Sequence, residues 1–178
     1  MEISSKLAII LSTSVLSFFA FDSMAQTTAA ETFNLGLGAE TGIPTGVARL
    51  GATFTLGATG RLQYGISNNF AITLTTGGYH FFPKLIPGTN TRYASYGEIP
   101  VKIGIKEFFV PNIYVGAEGG IAWEKLESGW APFHRRDLSG GLGYANKHWD
   151  IGLRYEDFYM KDYHSGLVGL RLAYGFAL

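Results

Sequence analysis

The stretch LVGLRLAYGFAL, residues 167–178, decides the fold, because its side chains alternate between two chemical classes. In an extended strand, successive residues point to opposite faces. One face carries large apolar side chains, namely Val168, Leu170, Leu172, Tyr174, Phe176 and Leu178. The other face carries Gly169, Arg171, Ala173, Gly175 and Ala177. The stretch is therefore predicted to be a β-strand with one apolar face and one face of small residues that holds a single charge.

The same alternation recurs along the chain. It is strong in residues 53–66, 99–106, 113–123 and 149–156, and weaker in 32–40, 70–80 and 136–145. With residues 167–178 these segments make eight candidate strands. Beyond residue 26 there is no apolar run long enough for a transmembrane helix, so the alternation is the main structural signal.

The composition indicates which face points inward. Charged residues make up 16% of the 178 residues, against roughly 25% in soluble domains. If the apolar faces meet lipid, the small and charged residues line the narrow interior of a closed barrel. This favours an all-β fold, an eight-stranded antiparallel up-and-down transmembrane β-barrel. The alternative is a soluble exported barrel of the lipocalin kind, with the apolar face turned inward around a small ligand.

The charges on the small-residue faces are predicted to form a paired network in the lumen, because buried charges must pair. This structural network comprises Arg61, Lys102, Lys106, Glu118, Arg154, Glu156 and Arg171. Further carboxylates stand near the strand ends, at Glu40, Glu98, Asp137 and Asp150. For Arg171 the expected partner is Glu118 or Glu156. Such a network predicts a plugged lumen; the alternative is a narrow channel, since intramembrane charges often mark ion paths.

The connectors between the predicted strands alternate in length. Short turns are expected at 67–69, 110–112 and 146–148, and longer loops at 41–52, 81–97, 125–135 and 158–164. Short turns on one side and longer loops on the other are typical of outer-membrane barrels, with both termini in the periplasm. Aromatic residues near the strand ends, with Phe81 and Phe158 among those by the loops, are expected to form interfacial girdles.

The first 25 residues have the features of a signal peptide. Lys6 precedes the apolar run Leu7–Phe21, and Ser23-Met-Ala25 provides the small-residue pattern of a cleavage site. We expect residues 1–25 to be removed and residues 26–178 to form an outer-membrane β-barrel domain in the cell outer membrane.

Residues 32–178 resemble the family of small bacterial outer-membrane β-barrels, the eight-stranded barrels of the OmpA and OmpX type. The resemblance rests on the order and spacing of Gly42-Ile-Pro-Thr-Gly46, Leu62-Gln-Tyr64, Gly78-Tyr79, Ile99-Pro-Val-Lys-Ile-Gly104, Tyr114-Val-Gly-Ala-Glu-Gly119 and Gly169-Leu-Arg-Leu-Ala-Tyr174. It implies insertion into the outer membrane and a signal peptide. The expected partners are outer-membrane lipid or lipopolysaccharide, and barrel-assembly machinery during insertion. It does not imply a defined activity.

Several kinds of chemistry are disfavoured. The chain has no cysteine, and its 14 basic residues equal its 14 acidic residues, so thiol chemistry and nucleic-acid binding have no support. The histidines lack ligand spacing, so no metal or cofactor is expected. A lipid A-modifying enzyme would need His164 and Ser165 together, but neighbours on a strand point to opposite faces. We therefore expect no enzymatic activity and no catalytic residues.

One group of residues near a predicted loop is a candidate surface-binding site. Trp130, His134, Arg135 and Arg136 place aromatic rings beside cations. Such mixtures suit glycolipid phosphate or an as yet unknown protein partner at the cell surface. The alternative is that they are an aromatic girdle with a solvated basic cap. Together these features predict a structural or cell-surface interaction role.

Overall fold

The computed structural model describes residues 30–161 and 163–178; the predicted signal peptide, residues 1–25, lies outside the described residues. The strands are β1 Phe33–Gly46, β2 Ala52–Gly65, β3 Phe70–Pro83, β4 Tyr96–Val110, β5 Ile113–Leu126, β6 Gly129–Ala145, β7 Trp149–Met160 and β8 Tyr163–Ala177. A short helix, α1 Ala48–Gly51, connects β1 to β2. In the described part of the chain, no helix has the length and apolar character needed to cross a membrane.

The strands form a closed barrel. Each strand pairs antiparallel with the next, and β8 returns to pair with β1 from Asn34↔Ala177 to Gly46↔Ser165. None of the described strands is left at a free edge of the sheet, which is the condition for a sheet to lie in lipid. The predicted eight-stranded antiparallel up-and-down barrel is confirmed.

The large apolar side chains point outward. In β8, Leu170 is 49% exposed and Leu172 is 47% exposed, whereas Arg171 between them is 3% exposed. The same holds around the barrel, for instance at Leu74 and Ile103. A continuous apolar exterior is the surface that meets lipid in a transmembrane barrel. The lipocalin-like alternative is wrong, because it requires these side chains to line the interior.

The connectors at the two ends of the barrel differ less in length than the sequence predicted. The end that carries both strand termini, here the terminal end, has short turns at 66–69, 111–112 and 146–148, as expected. At the opposite end, here the loop end, the predicted long loops are mostly strand. Among the described residues, only 84–95 form a long connector there; β5 and β6 are separated by 127–128 alone, and β8 begins at Tyr163 after β7 ends at Met160.

The hairpin between β5 and β6 explains the largest of these differences. Gly129 has a φ of +128°, which allows a tight reversal that other residues rarely adopt. Pro132, which suggested a loop, lies where the ladder is irregular, between the pairs Trp123↔His134 and Lys125↔Trp130. Proline is tolerated at such irregularities because it has no N–H to donate to the ladder. The strands therefore continue through residues that resembled a loop in sequence.

An apolar cluster fills the lumen at the loop end. We call it the apolar cap; its members are Ala48, Ala52, Tyr79, Phe81, Ala122, Phe158 and Leu167. The assignment of Phe81 and Phe158 to a lipid-facing girdle is wrong, because both rings are fully buried. They stand on the inward faces of β3 and β7, where Phe81 stacks on Tyr96 with ring centroids 4.4 Å apart.

Candidate functional site

The seven residues of the predicted lumen network all lie inside the barrel. Each occupies the inward face of its strand, and their side chains are at most 10% exposed. Six of them belong to a closed ring in which four cations alternate with four carboxylates. We call it the ion-pair ring; its order is Arg61, Glu118, Lys102, Glu156, Arg154, Glu40, Arg171 and Asp150, which returns to Arg61.

The first half of the ring joins β2, β4, β5 and β7. Arg61 Nη2 lies 3.0 Å from Glu118 Oε1, and Glu118 Oε2 lies 3.4 Å from Lys102 Nζ. Lys102 Nζ then lies 2.6 Å from Glu156 Oε1. On its other side, Arg61 Nη1 lies 3.8 Å from Asp150 Oδ2, which closes the ring. Three of these four contacts cross the lumen, because they connect strands that are not neighbours; the contact of Glu118 with Lys102 joins the neighbouring strands β5 and β4.

The second half of the ring joins β7, β1 and β8. Arg154 Nη2 lies 2.5 Å from Glu156 Oε2 and 2.5 Å from Glu40 Oε2. Glu40 Oε1 lies 3.4 Å from Arg171 Nε, and Arg171 Nη1 lies 3.6 Å from Asp150 Oδ2. Every member of the ring therefore has a partner of opposite charge on both sides, which compensates part of the cost of burying it.

The expected pairing of Arg171 with Glu118 or Glu156 is wrong. Its partners are Glu40 and Asp150. The reason is the register of the closing seam, in which Glu40 stands directly opposite Arg171. Period-two alternation assigns these residues to the lumen, but it does not specify which of them share a level along the barrel axis.

Hydroxyl groups donate hydrogen bonds to three of the four ring carboxylates. Thr59 Oγ1 donates a hydrogen bond of 2.6 Å to Glu40, and Thr75 Oγ1 donates one of 2.7 Å to Glu118. The hydroxyl of Tyr114 donates a hydrogen bond of 2.6 Å to Asp150. Arg154 also donates to the hydroxyl of Tyr79. Sequence reasoning did not assign a role to these hydroxyls, although all stand on inward positions of the alternating pattern.

A separate ion-pair group lies toward the loop end. Arg135 Nη2 lies 2.7 Å from Glu124 Oε2, and Arg135 Nε lies 3.5 Å from Glu98 Oε1. The prediction that Arg135 belongs to a surface-binding group is wrong, because the side chain points inward and is 15% exposed. Glu124 was missed, although it continues the inward alternation of Glu118.

The other predicted surface residues do face outward at the loop end. Trp130 is 56% exposed, and Lys125 Nζ lies 5.2 Å from its ring centroid. Arg136 lies 5.8 Å from the ring centroid of Tyr159. A pocket of about 400 Å³ lies at this surface and is lined by His134, Arg136, Tyr159, Met160 and Lys161. We call Lys125, Trp130, His134, Arg136, Tyr159 and Lys161 the outer cationic patch.

The histidine positions offer no assembled catalytic or metal centre among the described residues. No three His, Asp or Glu side chains within 30–161 and 163–178 are grouped so that they could hold a metal ion. His164 faces outward, with Nδ1 2.7 Å from Asp157 Oδ2, whereas Ser165 is 4% exposed and faces inward. The adjacent pair is thus divided between the two surfaces of the barrel.

No protein-family model matches the chain, and no curated protein matches its sequence. Solved structures share its fold at low identity. Neisserial surface protein A has a TM-score of 0.59 at 15% identity, covering 84% of this chain and 99% of its own. Ail of Yersinia pestis has 0.55 at 12%, covering 83% and 99%, and OprG of Pseudomonas aeruginosa has 0.56 at 9%, covering 86% and 98%. With its closed ladder and apolar exterior, the chain is therefore a small eight-stranded β-barrel of the outer-membrane type.

Proposed function

We propose that this chain is an integral outer-membrane protein with a closed, charge-paired lumen, and that it has a structural or cell-surface interaction role without enzymatic activity. The observation that carries the proposal is the ion-pair ring. It spans the interior from β1 to β8. Its charged side chains pair with one another, whereas in an open channel they would face water.

Three features support closure of the lumen. The ion-pair ring crosses the barrel, and the apolar cap lies beyond it, with Phe81 and Phe158 fully buried. A cavity beside Arg61 and Glu118 has a volume of about 40 Å³, room for no more than a few waters. An ion that crossed the lumen would have to separate buried partners, and leaving a buried charge unpaired costs about 3–5 kcal/mol.

We expect the protein to show no steady conductance in planar lipid bilayers. Recordings in symmetrical salt would be accompanied by recovery of the protein and a gel assay of heat-modifiable mobility, which verifies that it inserted in folded form. A large porin added to the same bilayer would serve as the positive control. Discrete, long-lived conductance steps from inserted, folded protein would contradict a closed lumen.

The proposal of a non-enzymatic role rests on the separation of the groups that acyl chemistry would need. A serine nucleophile must lie within hydrogen-bond reach of its base. Ser165 is buried on the lumen side, whereas His164 is exposed on the lipid side beside Asp157. His164 therefore has a carboxylate, Asp157, to orient its ring, but Ser165 lies on the opposite side of the barrel wall.

The outer cationic patch supports a cell-surface role. It lies at the loop end, which we propose faces outward, where lipopolysaccharide carries its phosphates. Lys125 and Arg136 present charge beside the rings of Trp130 and Tyr159, an arrangement that places charge and apolar contact together at a membrane boundary. The structure of Ail has been solved in complex with the heparin analogue sucrose octasulfate. Like lipopolysaccharide, this ligand is a saccharide that carries anionic groups.

We expect lipopolysaccharide to stabilise the barrel through this patch. The measurement is the unfolding midpoint in vesicles with and without lipopolysaccharide, followed by the heat-modifiable gel shift. Arg136→Gln combined with Lys125→Gln should lose more than half of the gain in midpoint. Arg92→Gln, which removes an exposed charge in the connector 84–95 outside the patch, is the control and should keep the gain. A doubly substituted barrel that keeps the full gain would rule out the patch as the lipopolysaccharide contact.

We also propose that barrel-assembly machinery inserts the chain. The seam that closes the barrel joins β1 to β8, the first and last strands. Contacts so distant in sequence form slowly, because a long segment of chain must be ordered before they are made. Until they form, β1 and β8 expose unpaired edges, which promote aggregation.

A further inference from the structure

The lumen is not filled evenly along its axis. On the terminal side of the ion-pair ring lies a cavity of about 210 Å³, room for several waters at about 30 Å³ each. Its walls include the exposed turn residues Lys147 and His148, so it lies at the mouth of the barrel. We call it the terminal cavity.

The charges around the terminal cavity are unbalanced. Arg61, Lys106, Lys147 and Arg171 line it, and Asp150 is the carboxylate side chain among its lining residues. Toward the loop end the excess is of the opposite sign, as in the group of Arg135 with two glutamates. The terminal cavity therefore favours an anion.

Asp150 does not satisfy the cations that surround it. Its Oδ2 lies 2.7 Å from Lys106 Nζ, 3.6 Å from Arg171 Nη1 and 3.8 Å from Arg61 Nη1. The first distance is a hydrogen bond, and the other two are too long to be hydrogen bonds. The second oxygen, Oδ1, accepts the hydroxyl proton of Tyr114. Asp150 is thus hydrogen-bonded to one of these three cations, whereas Arg61 and Arg171 lie closer to their other ring partners, Glu118 at 3.0 Å and Glu40 at 3.4 Å, neither of which lines the cavity.

Arg171, which lines the cavity, has one buried guanidinium nitrogen without a hydrogen-bond partner. The residue is 3% exposed, and its Nη2 has no hydrogen-bond partner among the described residues. This nitrogen lies beside Gly36, which also lines the cavity; a Cβ placed at Gly36 would be 3.4 Å from it. A buried donor without a partner costs about 1–3 kcal/mol, so a partner is to be expected on this side.

We propose that the terminal cavity binds a small oxyanion of the phosphate class, held between the guanidinium edges of Arg171 and Arg61 and the ammonium of Lys106. Planar guanidinium groups pair with phosphate oxygens through two parallel hydrogen bonds, and lysine adds a point charge. The anion is either free inorganic phosphate or the terminal phosphoryl group of a larger molecule that enters from the terminal end. This site does not depend on the outer cationic patch.

The test compares phosphate with chloride at equal ionic strength on the folded protein in zwitterionic detergent. We expect the unfolding midpoint to rise with the phosphate concentration, as mass action requires for a ligand that binds the folded state. Glycerol phosphate is the second probe. A shift with both indicates a site that accepts a phosphoryl terminus, and a shift with inorganic phosphate alone indicates a site for the free ion. No shift with either probe would overturn the proposal.

A single methyl group can block the site without removing a charge. In Gly36→Ala the nearest atoms to the new Cβ are Arg171 Nη2 at 3.4 Å and Arg61 O at 3.8 Å, which are ordinary contacts. The methyl covers the unused donor, so phosphate binding should weaken at least 10-fold with an unchanged midpoint in chloride. Gly60→Ala is the matched control, since its Cβ would face Leu37 Cδ2 at 3.7 Å on the outer surface. Phosphate affinity in Gly36→Ala equal to that of Gly60→Ala would refute the site.

Discussion

We expect Arg154→Met to lower the free energy of unfolding of the barrel by about 3–5 kcal/mol, the usual cost of removing one partner from a buried ion pair. Arg154 stands between Glu40 and Glu156 with 2.5 Å contacts to both, and its side chain is 8% exposed. Methionine has a similar length but supplies no donors. Two carboxylates would then compete for the remaining cations of the ion-pair ring.

Urea unfolding in detergent micelles, with the folded fraction read from the heat-modifiable gel shift, measures this effect. Arg92→Met is the matched control, because Arg92 is exposed in the connector 84–95 and donates to a backbone carbonyl; it should unfold close to the unmodified protein. Adding Glu40→Gln to Arg154→Met should recover part of the loss by removing a charge that has lost its partner. If Arg154→Met unfolds like Arg92→Met, the ring does not contribute to stability.

The division of the barrel into two surfaces was predictable from the sequence. Alternation in a strand has a period of two, so each residue's face follows from its neighbours. Leu170, Arg171 and Leu172 illustrate this, since the sequence alone assigned Arg171 to the side opposite the two leucines. That the apolar face points outward followed from the scarcity of charged residues, because the exterior of a soluble protein carries more charge.

The partners within the lumen were not predictable in the same way. Which charges meet depends on the stagger between strands, and the stagger accumulates around the barrel. Glu40 meets Arg171 because the seam between β1 and β8 aligns them. Alternation is unaffected by a shift of any even number of residues along a strand, so it cannot distinguish this register from one shifted by four residues that pairs Arg171 with Glu156.

The ends of the strands were also not predicted correctly from the sequence, and the reason is physical. Pro132 and the cations near it suggested a loop, yet the ladder continues on both sides of the irregularity that contains this residue. Following the alternation from Asp137 back to Arg135 would have assigned Arg135 to the lumen. The composition near the turn thus led to a wrong assignment of Arg135, whereas the period-two pattern assigns it correctly.

The glycines of the lumen set how closely the strands approach each other, and Gly120 is the most restricted of those described. A Cβ at Gly120 would lie 2.0 Å from Val101 O and 2.8 Å from Lys102 Cα. Both atoms belong to the backbone of β4, so no side-chain rotation can relieve the overlap. Any larger residue must separate β4 from β5 at the level where Lys102 enters the ion-pair ring.

We therefore expect Gly120→Ala to destabilise the barrel by about 3 kcal/mol, near the upper end of the usual cost of overpacking. The same substitution at Gly140 is the matched control, because its Cβ would lie 3.9 Å from Gly116 O, an ordinary contact. Urea unfolding of both variants in the same micelles measures the difference. Equal midpoints for Gly120→Ala and Gly140→Ala would mean that β4 can move away without loss. The close approach at Gly120 would then have no part in positioning Lys102 for Glu118 and Glu156.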